Sequence, residues 1–376
     1  MKKRTEGQRD RLTGEQTEGM TDRSYHVIGL MSGTSLDGLD IAYCRFSKIK
    51  DQWEYQILEA ETIPYSDPWR MRLGNLENST ALEFAFADTE FGHLLGQLTQ
   101  SFITRHSIHP VFIASHGHTI FHQPDKKLTT QIGKGSAIAF ETGLPVICDF
   151  RSLDVAHGGQ GAPLVPIGDK HLFAGYDFCL NLGGFANISF DKGNQRIAFD
   201  ICPVNMVLNH LTTQLGLLFD EGGYLASTGC IDTMLLDSLN QIPYYHRQPP
   251  KSLGKEWVVS SILPLLNHSG LSVPDLLCTF CEHVAIQTGY NTGQQWIKKL
   301  LITGGGARNT FLLERLRAHV IPQIIMPDPL TIDFKEALIF AFLGLLRWRN
   351  EVNCLKSVTG ATSNVSGGSI CGGTLI

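Results

Sequence analysis

Three glycine-containing turns follow short apolar runs in this sequence, and their residue types suit the binding of an anion. The first turn spans residues 33–40, the second contains Gly183 and Gly184, and the third spans residues 304–306. Glycine lets backbone N–H groups turn toward a phosphate, and the small residues let the ligand approach closely. Three such turns predict a nucleotide held between two lobes.

The first turn also carries hydroxyl and carboxylate groups. Thr34 and Ser35 are hydrogen-bond donors for a phosphate, and Asp37 and Asp40 could hold a hydrated magnesium ion. Asp37 followed by Gly38 is at the same time a strong signal for the corner of a β-hairpin. The two interpretations are compatible, and a glycine motif alone does not decide between them.

Asp200 ends an apolar segment and precedes Pro203, a residue type that often begins a helix. A carboxylate at a strand end that faces a cleft is suited to act as a general base. An aspartate just before a helix is also a common N-cap. The sequence alone favours neither the general base nor the cap.

Further polar residues lie in a glycine-rich loop and in a histidine cluster. The loop contains Arg151, Asp154 and Gln160, and loops of this kind often contact ligands, although Asp154 could instead cap a helix. His116 and His118 are two residues apart at a predicted strand end. No cysteine or acidic partner completes a metal site there, so hydrogen bonding to a polar ligand or core packing is the favoured interpretation.

Two segments nearer the C-terminus have structural explanations. Cys278 and Cys281 lie in an apolar helical stretch, which predicts core packing. Residues 333–336 resemble a capping box at the start of a helix that is apolar over residues 337–346. Glu336 closes that box, or, where it faces the cleft, it is a hydrogen-bond partner for substrate hydroxyls.

The composition predicts a folded protein of two domains. The chain has 376 residues, of which 43% are hydrophobic and 18% charged, and a net charge of −5. Because no basic stripe follows the chain, nucleic acid is not an expected partner. The longest apolar run, residues 337–346, is shorter than the roughly 20 residues that span a bilayer, so no membrane span is expected.

The cysteines and the N-terminus bear on where the protein acts. The nine scattered cysteines, odd in number, indicate reduced thiols in a cytosolic protein. Residues 1–24 alternate charged residues with Gly and Thr and lack an apolar core. We expect them to be a disordered extension rather than a secretory signal.

The predicted elements repeat along the chain. Residues 25–149 predict three strands separated by turns, then a helix, a strand, a helix and a strand, and residues 178–319 predict the same plan. Two copies of one mixed α/β unit that face a cleft explain this repeat. We expect a first lobe of residues 25–152 with about 355–376, and a second lobe of residues 153–354.

Several motifs resemble those of the anhydro-N-acetylmuramic acid kinases. They are MSGTSLDGLD at residues 31–40, GGQGAPLVP at 158–166 and GGGARN at 304–309, with SHG at 115–117, QIG at 131–133, PKS at 250–252 and SVTG at 357–360. The resemblance covers about residues 27–360. It implies an α/β fold with two ribonuclease H-like lobes around a central cleft, as in the actin-like, sugar kinase and Hsp70-type ATPases.

The same resemblance implies an activity. The family uses ATP, Mg²⁺ and water to open 1,6-anhydro-N-acetylmuramic acid and to phosphorylate its O6, which gives N-acetylmuramic acid 6-phosphate in cell-wall recycling. It also implies a cytoplasmic homodimer whose partner is this small anhydro-amino-sugar.

The resemblance implies roles for particular residues. Asp200 matches the catalytic carboxylate, which takes a proton from the water that attacks the anomeric carbon. Asp37 and Asp40 are the implied magnesium contacts, and the implied substrate contacts are His116, Arg151, Gln160 and Glu336. The implied contacts to ATP are Gly33, Thr34, Ser35, Leu36, Asp37, Gly38, Leu39, Asp40, Gly183, Gly184, Gly304, Gly305 and Gly306.

The sequence departs from the family pattern near these residues. Residues 202–205 read CPVN where many members have GPGN, the basic run before the GGQG loop is reduced to RSL at 151–153, and His118 stands in place of the usual Gln. These differences leave open whether the substrate is the same. The alternatives are a kinase for another sugar on the same fold and a non-enzymatic actin- or Hsp70-like ATP-binding interaction protein.

Overall fold

A computed structural model of the chain describes residues 24–33, 36–293 and 298–372. The predicted N-terminal extension, apart from residue 24, lies outside the described residues, and so do Thr34 and Ser35 of the first glycine turn. The described chain forms two β-sheets of seven and five strands with helices packed on them.

The first sheet begins with an antiparallel meander of β1 (Tyr25–Ser32), β2 (Gly38–Ile49) and β3 (Gln52–Pro64). β4 (Phe112–Gln123) pairs in parallel with β1, and β5 (Leu128–Ile132) pairs antiparallel with the second half of β4. β6 (Val146–Cys148) pairs in parallel with β4. The last strand of the described residues, Ser369–Cys371, lies at the edge of this sheet and pairs antiparallel with β6.

The second sheet repeats this arrangement. β7 (Phe178–Leu182), β8 (Phe185–Lys192) and β9 (Gln195–Pro203) form the antiparallel meander, and β10 (Lys299–Thr303) and β11 (Gln323–Ile325) follow in parallel on the other side of β7. In both sheets the third, second and first strands of the meander are followed by two parallel strands. The predicted duplication of one mixed α/β unit of ribonuclease H-like topology is therefore confirmed.

Fourteen α-helices of the described chain connect or cover these strands. Several of these helices begin at a side chain that accepts a backbone N–H. The helix Ala81–His106 begins at Thr80, in a capping box with Glu83, the helix Val273–Thr292 begins at Ser272, and the helix Thr310–His319 begins at Asn309. No helix of the described residues is both long and apolar enough to cross a membrane. The helices are α1 (Asp67–Asn75), α2 (Ala81–His106), α3 (Gly135–Thr142), α4 (Ser152–Ala156), α5 (Val165–Leu172), α6 (Asn205–Thr213), α7 (Tyr224–Thr228), α8 (Thr233–Asn240), α9 (Lys255–Ser261), α10 (Leu263–His268), α11 (Val273–Thr292), α12 (Thr310–His319), α13 (Pro329–Trp348) and α14 (Lys356–Thr359).

α13 packs against both halves of the molecule. It packs on β1, β2 and β4 of the first sheet and on α5 and β10 of the second half. Gly29 of β1 lets the helix approach, because a Cβ at this position would lie 1.9 Å from the carbonyl oxygen of Ala337. One hydrophobic cluster consequently contains Phe112 of the first sheet, Phe340 of α13 and Leu301 of the second sheet. The lobe boundaries stay a prediction, and α13 lies between the two units.

Candidate active site

Two cavities that share wall residues lie between the two halves, and a third lies beside them in the second half. The inner cavity, of about 210 Å³, is lined by Asp200, Arg151 and an apolar wall that includes Phe199 and Phe340. The turn cavity, of about 380 Å³, lies beside the glycine turns. Asn181 and Glu336 line both of them. Gly305 lines the turn cavity and also the outer cavity of about 630 Å³, which includes Phe219 and Asn309.

The turn cavity brings together residues from all three glycine turns. Asp37, Asp40, Gly183, Gly304 and Gly305 contribute to its walls. Gly304 has a φ of 84°, and a Cβ there would lie 2.4 Å from Oδ1 of Asn181, so only glycine fits. Turns far apart in the sequence thus converge on one cavity, and their contact with phosphate stays a prediction.

Other residues of these turns have structural roles. A Cβ on Gly38 would lie 2.5 Å from the carbonyl oxygen of Ile63, so this glycine is required by strand pairing. The carbonyl of Gly184 accepts the N–H of Val204 at the start of α6. Gly306 packs against Leu182, and the Leu39 side chain is buried in the core. Gly33 and Leu36 are joined by a backbone hydrogen bond of 3.3 Å.

Asp40 lines the turn cavity together with the carboxylates of Asp37, Asp333 and Glu336. Oγ1 of Thr62 donates a hydrogen bond of 2.6 Å to its Oδ1. Burial, and next the charges of Asp37, Glu336 and Asp333, raise the pKa of Asp40 to about 6, against the opposing hydrogen bond of Thr62. Such a cluster is stabilised by a cation.

The donor set fits Mg²⁺ better than a metal held by protein alone. Within the described part of the chain, no three His, Cys, Asp or Glu side chains are close enough to hold a metal ion by themselves. Mg²⁺ usually keeps several waters and is bound through one or two carboxylates together with substrate phosphates. Asp37 and Asp40 beside the glycine turns supply these carboxylates, and their assignment as metal contacts stays a prediction.

Asp200 lies near the end of β9 and faces the inner cavity. Its Oδ1 accepts the side-chain amide of Asn187, and its Oδ2 accepts the N–H of Leu253 at 2.8 Å. Burial raises the pKa of Asp200, and the two hydrogen bonds oppose this shift. A fixed carboxylate with a raised pKa is suited to remove a proton at neutral pH.

The alternative that Asp200 caps a helix is wrong. β9 continues through Pro203, and α6 begins at Asn205 after Val204, so the helix begins two residues later than the expected start at Pro203. Sequence reasoning missed Asn187 and Leu253 as the partners of Asp200. The PKS motif at residues 250–252 was the available signal, because it leads directly to the N–H of Leu253.

Arg151 lines the inner cavity and His116 lies behind it. Nε and one terminal nitrogen of Arg151 approach Nε2 of His116 at 3.1 and 2.9 Å, and the other terminal nitrogen donates to the carbonyl of Gly161 at 2.6 Å. Nδ1 of His116 lies 2.9 Å from the carbonyl of Gly117, so Nδ1 carries the proton and Nε2 accepts from Arg151. Burial, with the Arg151 charge, lowers the pKa of His116 well below its usual value. The neutral His116 thus orients Arg151.

Gln160 is exposed, and its contact to the fold is made by the backbone. Its N–H donates to the carbonyl of Thr359 at 2.8 Å. The loop around it is fixed by Asp154, which lies inside α4 and is buried: Oδ2 accepts the N–H of Gly161, and Oδ1 accepts the Thr359 hydroxyl, both at 2.8 Å. The expectation that Asp154 caps a helix is wrong, and the role of Gln160 in substrate binding stays a prediction.

Glu336 lies where the inner and turn cavities meet. The predicted capping box at residues 333–336 is wrong, because α13 begins at Pro329 and Asp328 caps it through a hydrogen bond of 3.0 Å from the N–H of Thr331. Burial raises the pKa of Glu336, while the charges of Arg151 and Lys335 oppose the shift. Glu336 is thus available to a ligand.

The sequence comparisons identify the family. A sequence model described as anhydro-N-acetylmuramic acid kinase matches residues 25–373. The anhydro-N-acetylmuramic acid kinase of Hydrogenovibrio crunogenus is 34% identical over 90% of this chain and 95% of its own, and that of Sulfurovum sp. is 34% identical over 90% and 96%. This chain belongs to the anhydro-N-acetylmuramic acid kinase family.

Some solved structures align with the chain at low similarity. An activator of 2-hydroxyisocaproyl-CoA dehydratase from Clostridium difficile, with bound ADPNP, covers 86% of this chain and 97% of its own at 13% identity and a TM-score of 0.41. A ROK family glucokinase from Streptomyces griseus, in complex with glucose and AMPPNP, covers 85% and 98% at 11% identity and a TM-score of 0.39.

The departures from the pattern of the anhydro-N-acetylmuramic acid kinase family lie mainly in the core. Cys202 and Val204 are fully buried. Nδ1 of His118 lies 3.0 Å from the hydroxyl of Ser32, which accepts the Tyr65 hydroxyl at 2.8 Å, so His118 supports the strand before the first turn. Cys278 and Cys281 are buried in α11, which confirms the prediction of core packing.

Proposed function

We propose that this member of the anhydro-N-acetylmuramic acid kinase family converts 1,6-anhydro-N-acetylmuramic acid, ATP and water into N-acetylmuramic acid 6-phosphate and ADP. The observation that supports this most directly is the joining of two cavities at Glu336. One contains Asp200 and Arg151, and the other contains the glycine turns with Asp37 and Asp40. A sugar in the inner cavity therefore lies next to the site expected for the triphosphate.

In this proposal Asp200 is the general base. Its carboxylate removes a proton from a water molecule, and that water oxygen forms a bond to the anomeric carbon as the bond from this carbon to O6 breaks. O6 attacks the γ-phosphate and ADP leaves. The hydrogen bonds from Asn187 and Leu253 hold the carboxylate so that little reorganisation precedes the proton transfer.

The other polar residues of the inner cavity recognise the sugar. Arg151, whose pKa burial lowers to about 10, is a cation that suits the lactyl carboxylate of the substrate. Glu336 accepts hydrogen bonds from sugar hydroxyls. The apolar wall, including Phe199 and Phe340, covers the less polar face of the ring and keeps bulk water from the reacting centre.

The turn cavity holds the nucleotide phosphates in this proposal. The turns at Gly183 and Gly304 border the phosphates, and the outer cavity takes the adenosine. Asp37 and Asp40 hold hydrated Mg²⁺, which neutralises charge on the phosphates when bound. From family membership we infer that the protein is cytoplasmic and forms a homodimer. Light scattering of the purified chain tests the dimer.

Product analysis in heavy-oxygen water tests the function. The protein is incubated with ATP, Mg²⁺ and the anhydro-sugar in H₂¹⁸O, quenched early and examined by mass spectrometry and phosphorus NMR. We expect a 6-phosphate that carries one heavy oxygen at C1 and none in the phosphoryl group. Unlabelled product incubated in parallel corrects for exchange at C1.

A panel of sugars distinguishes the proposed function from that of a kinase for another sugar. N-acetylmuramic acid, N-acetylglucosamine and glucose are assayed for ADP formation under the same conditions. Efficient phosphorylation of one of these with no turnover of the anhydro-sugar would contradict the proposal and indicate a kinase for another sugar.

A further inference from the structure

A lysine is buried directly beside Glu336. Lys335 is 4% exposed, and its Nζ lies 2.8 Å from Oδ1 of Asp169 on α5 and 5.0 Å from the centre of the Phe173 ring. Asp169 is itself 3% exposed and lines the inner cavity. Two charges removed from water are costly unless their geometry is well matched, so this pair constrains the position of both elements that carry it.

Hydrogen bonds connect this ion pair to the second sheet. Oδ2 of Asp169 accepts the hydroxyl of Ser189 on β8, and this hydroxyl accepts a 2.9 Å hydrogen bond from the guanidinium of Arg196 on β9. Arg196 is 2% exposed and also lies 3.5 Å from Oδ1 of Asp191. A connected set of buried polar groups therefore joins α13 to the two strands that carry Asn187 and Asp200.

Lys335 lies directly after an interruption in α13. The backbone leaves helical geometry at Phe334, with φ −112° and ψ 16°, immediately before Lys335. Glu336 follows immediately after. Consecutive residues of a helix point about 100° apart, so fixing the direction of Lys335 also fixes the direction of Glu336. The buried pair thus acts on the first turn after the break.

We propose that the Lys335–Asp169 ion pair is a positioning element that holds α13 beyond its break and directs Glu336 into the inner cavity. The role in turnover rests on the proposed function, because it takes Glu336 to be a sugar contact. Lys335 and Asp169 act through Glu336, with the Ser189–Arg196 hydrogen bonds holding Asp169 in place.

The charges around Glu336 set its pKa, and a purely structural role of the ion pair would not change the pH dependence of the sugar KM. Arg151 from the loop before α4 and Lys335 favour its ionised form, whereas Asp40 on β2 and the nearby Asp333 carry like charge. Loss of the Lys335 charge raises the pKa of Glu336 further. The acid limb of the pH profile for sugar KM then moves to higher pH.

The test compares Lys335→Met, Asp169→Asn and the double variant with the parent. We expect each single variant to raise the sugar KM at least tenfold and to change the ATP KM less than twofold. Lys335→Met moves the acid limb of sugar KM upward, because it removes a cation that favours the ionised form of Glu336. The double variant leaves neither charge buried, so it folds stably yet keeps the raised sugar KM.

Glu282→Gln is the matched control. Glu282 is also buried and pairs with Arg315 at 2.6 Å, but it lies on α11 away from the cavities. We expect this variant to lose thermal stability with an unchanged sugar KM. A double variant whose sugar KM is within twofold of that of the parent overturns the proposal. A variant that raises only the ATP KM also overturns it and would make Lys335 a nucleotide contact.

Two further measurements separate this inference from the proposed function. Where the parent turns over the anhydro-sugar and Glu336→Gln raises the sugar KM, but the Lys335 and Asp169 variants leave it unchanged, only the positioning role fails. Where the parent does not turn over the anhydro-sugar, the crystal structure of the double variant still tests the inference. We expect Phe334 to move toward helical torsions and Glu336 to leave the cavity wall, and an unchanged Phe334 and Glu336 overturn it.

Discussion

The two sheets place a polar pair at the same position and use it differently. In the first sheet, Asp40 on β2 lies opposite Thr62 on β3, and the hydroxyl donates to the carboxylate. In the second sheet, Asn187 on β8 lies opposite Asp200 on β9, and the amide donates to the carboxylate. The carboxylate lies on the second strand of the meander in the first sheet and on the third strand in the second sheet.

In the proposed function, this difference between the sheets separates two chemical tasks. Asp40 on the second strand borders the turn cavity, next to the expected phosphates, where a carboxylate suits a metal ion. Asp200 on the third strand borders the inner cavity, where a carboxylate suits proton removal. One duplicated unit thus supplies both carboxylates, and a neutral donor on the adjacent strand fixes each of them.

The largest expected effect comes from Asp200→Asn. An amide cannot take the proton from water, so kcat falls by about 10² to 10⁴. ATP binding, measured by calorimetry, stays within twofold of the parent, because Asp200 lies in the inner cavity. Turnover close to the parent rate would show that the second sheet does not supply the general base.

Asp40→Asn is expected to reduce activity less and to increase stability. Loss of a metal carboxylate weakens the apparent Mg²⁺ affinity by about tenfold to a hundredfold. The folded pKa of Asp40 is about 6, above its usual 3.8, so ionisation costs folding free energy that appears as the pH rises from about 4 to 6. With allowance for solvent screening, the variant gains about 1 kcal/mol at pH 8.

Urea unfolding without Mg²⁺ at pH 4 and pH 8 measures this gain. A variant that is equally stabilised at both values would contradict an electrostatic origin. A variant with unchanged Mg²⁺ dependence of turnover would show that the first sheet does not supply the metal carboxylate.

The strands and turns of this comparison could be predicted from the sequence. Alternating or continuous apolar runs identified the meanders, and glycines between them identified the turns that meet at the turn cavity. These signals are local, because strand periodicity and turn chemistry act over a few residues. The same locality explains why Asp40 and Asp200 were recognised as candidates.

The partners of the candidate residues could not be predicted in this way. Leu253 reaches Asp200 across 53 residues of chain, and Asp169 reaches Lys335 from another helix. The start of α13 was also missed: two acceptable caps lie five residues apart, and Pro329 directly after Asp328 is the local signal that favours Asp328 over Asp333. Asp333 instead pairs with Arg308.

The smallest expected effects come from removing the two neutral donors. Each hydrogen bond lowers the pKa of its carboxylate, so Asn187→Leu raises the pKa of Asp200 and Thr62→Val raises that of Asp40. Asn187→Leu moves the acid limb of kcat to higher pH and lowers the rate at pH 7 by about threefold to tenfold. Thr62→Val weakens the apparent Mg²⁺ affinity by a similar factor.

The two variants serve as controls for each other. The division of tasks requires that Asn187→Leu leave the Mg²⁺ dependence unchanged, and that Thr62→Val leave the acid limb of kcat unchanged at saturating Mg²⁺, because bound metal suppresses the titration of Asp40. If both variants moved both quantities, the two carboxylates would titrate as one coupled group, and the separation of metal binding from proton removal between the two sheets would be wrong.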